Sequence, residues 1–140
     1  MTRNYPRFPD PQGTRNLKNT YLNWTGNQLS KLKSNLHILE ENKTDKPDSV
    51  IPDIFQIVHN MKGLGSNFGY YLMTDIATSL CEYMRYKETV AEVDITIIRD
   101  HIEAMDQVNR DKISGSGGPE GDKVLLRLHK MVKDAAIAHA

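Results

Sequence analysis

An all-α antiparallel bundle is what this sequence predicts, on three observations. Five segments space their apolar residues at steps of three and four, the signature of helices with one apolar face. No stretch alternates apolar and polar residues with period two over a useful length, so no strand is expected. The breaks between segments are short and polar, which makes successive helices antiparallel neighbours. The expected architecture is a four-helix bundle with an additional terminal helix. No internal repeat of solenoid period is present.

Residues 1–13 contain Pro6, Pro9, Pro11 and Gly13, too many breakers for a helix, and read as an irregular N-terminal arm. The arm lacks the apolar run of an export peptide. The bundle domain then occupies residues 14–140. From about Thr14 to Asn42, Leu22, Leu29, Leu32, Leu36 and Leu39 form one stripe of a first helix. Gly26 weakens that stripe and is expected to mark a kink or the join of two helices. Lys43 to Asp48 is a polar loop holding Pro47, and Asp48 or Ser49 is placed to cap the next helix, with Pro52 in its first turn.

The second helix carries Ile54, Val58, Met61, Gly65 and Phe68 on its core side. A third runs from about Tyr70 to Tyr86 and turns Met73, Ile76, Ala77, Leu80, Tyr83 and Met84 inward. A fourth, about Val93 to Asp111, offers Ile95, Ile98, Ile102 and Met105, with Asp94 or Thr89 as its cap. Ser114 to Pro119 reads as a flexible connection with nothing to bury. A fifth helix, about Glu120 to Ala138, carries Val124, Leu125, Leu128, Val132 and Ala135.

Composition sets outer limits. A chain of 140 residues is one domain's worth and can bury a single core. Its apolar content of 39% and charged content of 26% are ordinary for a soluble globular protein. Formal net charge is zero, so no global field draws in nucleic acid or an anionic membrane. No apolar run approaches the roughly 20 residues a bilayer demands. The lone Cys81 excludes an internal disulfide and fits a reducing compartment. Any partner must be recognised by a local surface.

One stretch departs from ordinary helix chemistry. It reads His59-Asn60-Met61-Lys62-Gly63-Leu64-Gly65-Ser66-Asn67-Phe68-Gly69. Glycine within a helix costs about 1 kcal/mol against alanine, so glycines here either end the helix or keep its backbone bare. At 3.6 residues per turn, His59 lies about 100° from Val58 and about 200° from Met61, and so points away from the core stripe. Phe55, Lys62, Gly63 and Ser66, at spacings of three, four and seven from it, share its face. Gly63 is where a side chain would stand beside the imidazole one turn on. Gly65 falls on the core stripe and suits close packing against a neighbouring helix. Gly69 suits a helix end, where the left-handed conformation is common.

The spacing His-x-x-Lys-Gly-x-small-x-x-apolar-Gly resembles the signature of histidine-containing phosphotransfer (HPt) domains, with His59, Lys62, Gly63, Gly65, Phe68 and Gly69 matching in place and type. The helical layout resembles the same family over roughly residues 16 to 112. The resemblance implies a phosphorelay role, in which His59 accepts a phosphoryl group and passes it to or from the aspartate of a response-regulator receiver. Lys62 would offset the phosphoryl charge. Phe55, Gly63 and Ser66 would meet the partner, and Gly65, Phe68 and Gly69 would be structural. It implies a receiver or a hybrid sensor kinase as partner, in the cytoplasm, with no nucleic acid, membrane insertion or small-molecule substrate. No cofactor is expected on this chain; the divalent cation would sit on the receiver. The chain has no glycine-rich phosphate loop, so it would be a phosphohistidine carrier and not an autonomous kinase.

Two features depart from the simplest family pattern. Leu64 is bulky beside the site, although its phase turns it partly toward the bundle. The long first helix, the glycine-rich connection and the fifth helix exceed a minimal HPt core; they resemble the longer phosphotransfer domains of chemotaxis-type kinases and fit a separate protein equally well.

A different class of reading is a helical scaffold that binds a receiver or kinase through the same surface without being phosphorylated. A cofactor-binding bundle would need inward-facing histidines, whereas His59 points outward. The other histidines offer less. His37 and His101 adjoin core positions and read as surface or hydrogen-bonded residues, His129 as part of a solvated face, and His139 as tail. None has metal-ligand spacing to another His, Cys or carboxylate. Cys81 reads as a small buried apolar residue, and Tyr21 and Trp24 as core or as part of a partner surface on the first helix, with core favoured.

Overall fold

The computed structural model describes residues 11–42 and 45–138. Five helices account for most of them: α1 (Pro11–Glu41), α2 (Val50–Gly65), α3 (Tyr71–Met84), α4 (Ile95–Arg110) and α5 (Gly118–Ala138). Among the described residues there is no strand, as the absence of period-two patterning predicts. Short 3-10 turns at Pro47–Ser49, Ser66–Phe68 and Val90–Glu92 fill the connections.

The first four helices close a ring. α2 packs between α1 and α3, and α4 packs between the same two helices on the opposite side; α5 lies outside, against α3 and α4. The core they enclose follows the apolar stripes. Leu29, Leu32, Leu36 and Leu39 of α1 meet Ile54, Val58 and Met61 of α2, Met73, Ile76, Leu80 and Met84 of α3, and Ile98, Ile102 and Met105 of α4. Only Leu128 of the apolar stripe of α5 is fully buried, because that helix lies on the finished bundle and shields rather than fills. Surface ion pairs Lys33–Asp106 (2.8 Å) and Arg99–Glu40 (3.4 Å) join α1 to α4. Each is exposed enough to stabilise by less than about 1 kcal/mol.

Several boundaries differ from those read in the sequence. α1 starts at Pro11, so residues 11–13 belong to the helix and not to an irregular arm. Proline is tolerated in a first turn, where its missing N–H has no intrahelical acceptor. Residues 1–10 lie outside the described residues. The helix also runs unbroken through Gly26, with neither kink nor join. A Cβ at Gly26 would sit 3.6 Å from the Asn109 amide nitrogen of α4, so packing holds the segment straight despite its weak propensity.

Capping differs too. Neither Asp48 nor Ser49 caps α2 through its side chain: Ser49 donates back to the Lys46 carbonyl at 2.7 Å, and Asp48 accepts the Val90 N–H at 2.8 Å. The preceding 3-10 turn feeds straight into α2 and leaves no extended cap residue. Asp94 does cap α4, accepting from the Thr96 N–H at 2.9 Å. Thr89 instead forms a reciprocal capping box with Glu92 on the neighbouring 3-10 turn.

The connection before α5 is not slack. Gly115 donates its N–H to the Gly69 carbonyl (2.6 Å) and accepts from the Leu72 N–H (2.9 Å), which stitches it to the turn between α2 and α3. Gly117 has φ +77 and fits against Leu72, where a Cβ would stand 2.7 Å from a Leu72 methyl. The glycines that suggested flexibility are there for backbone reversal and close approach.

Candidate functional site

α2 carries the candidate site because its two faces are chemically distinct. Val50, Ile51, Ile54, Val58, Met61 and Gly65 are buried, which fixes the rotation of the helix. That rotation leaves His59, Asn60 and Gly63 exposed, with Phe55, Lys62 and Ser66 half-buried around them. The helical phase read from the sequence therefore holds: the imidazole stands on the outer face.

Gly63 and Gly65 have opposite surroundings. A Cβ built on Gly63 would meet nothing within 4 Å, so the space beside His59 is open to solvent. A Cβ on Gly65 would collide with the Thr74 hydroxyl and lie 3.0 Å from the Tyr70 carbonyl oxygen and 3.2 Å from the Thr74 nitrogen. Gly65 thus permits α3 to begin tight against the end of α2. Thr74 adds to that contact, donating its hydroxyl to the Lys62 carbonyl at 3.4 Å. Thr74 was not picked out from the sequence, since its partner lies twelve residues earlier on another helix and no local pattern marks it.

The end of the site helix is built by the last residues of the motif. α2 stops at Gly65, a 3-10 turn covers Ser66–Phe68, and Gly69 takes φ +79, the left-handed conformation glycine adopts most cheaply. The Tyr70 N–H donates to the Gly65 carbonyl at 2.9 Å and the Gly69 N–H to the Ser66 carbonyl at 3.2 Å. Phe68 and Tyr70 both stack on Tyr21 of α1, with ring centroids 4.9 and 5.0 Å apart. Burial pushes the Tyr21 and Tyr70 phenols above their usual range, as expected for rings used as packing.

Around His59 the structure brings Phe55, Lys62 and Gly63 onto one face, while Ser66 sits at the start of the 3-10 turn. Phe55 is half-buried rather than the exposed contact the sequence suggested, and its ring stacks on the His59 imidazole at 6.0 Å and 19°. It packs against the core from the side, so its ring is held between the bundle and the imidazole. Leu64 is 37% exposed, so its phase does not carry it into the bundle. The Gln56 amide donates to the Asn60 carbonyl oxygen at 3.2 Å, one turn along on the same outer surface.

Lys62 has no ion-pair partner among the described residues. Its charge is felt on α3: burial pushes the Cys81 thiol up, and the Lys62 and Arg85 cations pull it part of the way back. An uncommitted ammonium three residues from an exposed imidazole can meet an incoming anion at no cost in a broken pair. Among the described residues no cluster of three or more His, Cys, Asp or Glu could hold a metal ion. No helix is long and apolar enough to cross a membrane.

The remaining described histidines are elsewhere. His101 is fully buried, with Nδ1 2.7 Å from the Ile97 carbonyl and Nε2 2.9 Å from the Ser79 hydroxyl. His37 and His129 are exposed on α1 and α5. His139 lies outside the described residues.

Comparison with known proteins agrees with this arrangement. The family model described as Hpt domain matches residues 16–108, more than half of the chain and the whole of the closed ring from the body of α1 almost to the end of α4. Neither a curated protein nor a solved structure matches the chain. With an outward imidazole and its cleared flank lying inside the matched stretch of a four-helix ring, the chain belongs to the Hpt domain family of phosphorelay proteins.

Proposed function

We propose that this protein carries a phosphoryl group on His59 and exchanges it with the aspartate of a response-regulator receiver. The observation that carries the proposal is the exposed imidazole beside Gly63, where nothing stands within 4 Å of a would-be Cβ. A second protein needs that opening to bring a phosphoaspartate in line with the ring. Histidine is also the side chain best suited to the exchange, since its neutral form supplies a nucleophilic lone pair near physiological pH.

In the transfer, a ring nitrogen of His59 attacks the phosphorus of the receiver's acyl phosphate. The nitrogen–phosphorus bond forms as the phosphorus–oxygen bond to the carboxyl group breaks, and the electron pair returns to the aspartate as carboxylate. The reverse step runs through the same geometry. Positioning and charge compensation dominate such transfers. The Lys62 ammonium compensates the phosphoryl oxygens, and the receiver supplies its own divalent cation. Gly63, with Phe55 and Ser66 beside it, forms the landing surface. A hybrid sensor kinase that ends in a receiver would meet the same surface, and the cytoplasm is the compartment where these partners meet.

Labelling tests the reading. Wild-type protein incubated with a phosphorylated receiver should gain acid-labile, base-stable phosphate, and His59→Gln should gain none. Label retained on the variant at another residue would defeat the assignment. A wild-type protein that binds the receiver but never takes up label would leave the non-catalytic scaffold in its place.

A further inference from the structure

We infer that Phe55 is a positioning residue for His59: its ring, anchored against the bundle, stacks on the imidazole and restricts the orientation in which a ring nitrogen is offered to phosphorus. The inference rests on the phosphohistidine reading above and adds a residue to it. Three observations carry it. The two rings lie 6.0 Å apart and within 19° of parallel, inside the range of productive aromatic stacking. Phe55 is half-buried and packed on the core, whereas His59 is exposed, so the phenyl ring is the fixed partner and the imidazole the mobile one. Helical side chains lean over the turn that precedes their own Cα, so a residue four positions earlier is the one an imidazole at 59 lies upon.

An exposed histidine with no such neighbour samples several rotamers and presents either nitrogen to solvent. Among the described residues His59 has no hydrogen-bond or ion-pair partner to hold it, and the Phe55 ring is its one aromatic contact. Restricting a nucleophile before its target arrives removes part of the orientational cost of reaction. A merely apolar docking role for Phe55 would act only when a receiver is present.

Phosphoramidate separates the two roles, because this small donor phosphorylates imidazole without a docking protein. The ring nitrogen attacks phosphorus, the donor's phosphorus–nitrogen bond breaks, and ammonia leaves with the electron pair. The full-length protein and its Phe55→Ala and Phe55→Tyr variants are treated with phosphoramidate, and the rate and the ratio of the two phosphohistidine isomers are read by phosphorus and nitrogen NMR. Phe55→Ala should react about two- to tenfold more slowly, the range a stacked pair supports, and its isomer ratio should shift. Phe55→Tyr, which keeps the ring, should restore both. Thermal unfolding of each variant shows whether the bundle is intact, and Phe55→Leu supplies a folded ring-free variant if alanine loosens it. Unchanged rate and isomer ratio in a folded ring-free variant would overturn the inference while leaving His59 as acceptor. Phosphate on His59→Gln would instead sink the underlying reading.

Discussion

Two histidines on opposite helices of one bundle show how environment gives one residue type two different surroundings. His59 stands on the outer face of α2 with open space beside it; His101 lies on α4 with none of its surface exposed. The Ile97 carbonyl can only accept, so Nδ1 of His101 carries the hydrogen, and in the neutral ring Nε2 accepts a hydrogen bond from the Ser79 hydroxyl. Both nitrogens are occupied, and burial pulls the ring's basicity below the ordinary histidine range. Such a ring specifies packing between α3 and α4 and is sealed from any donor. The lesson is that nucleophilic capacity here is a matter of what the fold leaves uncovered.

The sharpest way to break this contrast is substitution at each histidine. His59→Gln should abolish phosphoryl uptake and shift stability by less than about 0.5 kcal/mol, as surface changes usually do. His101→Ala should do the reverse. It strands the Ser79 hydroxyl and opens a cavity, which should cost about 2–4 kcal/mol in urea unfolding and leave the chemistry of the folded fraction intact. Reversed outcomes would exchange the two roles.

The glycines offer the next contrast. Gly65→Ala forces the start of α3 away from α2 and should lower stability by about 1–3 kcal/mol, measured by thermal unfolding. Gly63→Ala has room and helix propensity in its favour, so it should stabilise by up to about 1 kcal/mol. The same substitution should slow transfer from a receiver severalfold, because the methyl group occupies the approach path. One protein made firmer and slower by a single methyl is the signature expected of a docking glycine.

Acidity sharpens the comparison of the histidines further. Because the folded-state basicity of His101 is depressed, the unfolded chain binds the extra proton first as pH falls. Stability from this group is therefore complete above the unfolded value near 6.5 and declines as pH drops toward the folded value. The slope reaches at most about 1.4 kcal/mol per pH unit. His101→Gln should flatten that part of the pH profile, measured by urea midpoints between pH 7 and pH 5. At Lys62 the expected effect is on rate and not on stability: Lys62→Ala should slow phosphotransfer severalfold, with little change in melting temperature.

Much of this was legible in the chain because burial here follows helical period. The stripes of α2, α3 and α4 put Val58, Met61, Ile76, Leu80, Ile102 and Met105 inside and, by the same phase, His59 outside. The motif's end was legible as well, since Gly69 takes the left-handed turn its identity suggests. What was hidden depended on partners distant in sequence. Gly26 stays helical because α1 packs on α4, and Asp48 accepts the distant Val90 N–H instead of capping α2. His101 was left between surface and hydrogen-bonded readings, because Ser79 lies on another helix. Phe55 sits at the edge of its stripe, where a small rotation separates exposed from half-buried.

The two hydrogen bonds that Gly115 makes to Gly69 and Leu72 have a consequence for how the molecule can be divided. Gly115 lies beyond the stretch that matches the family, yet it fastens the hinge of the hairpin that displays the imidazole. A fragment trimmed at the end of the match would keep every residue of the motif and lose the rivet behind it. The structural unit is thus longer than its recognisable part, and the connection to the last helix is tied through Gly69 to the end of the helix that carries His59.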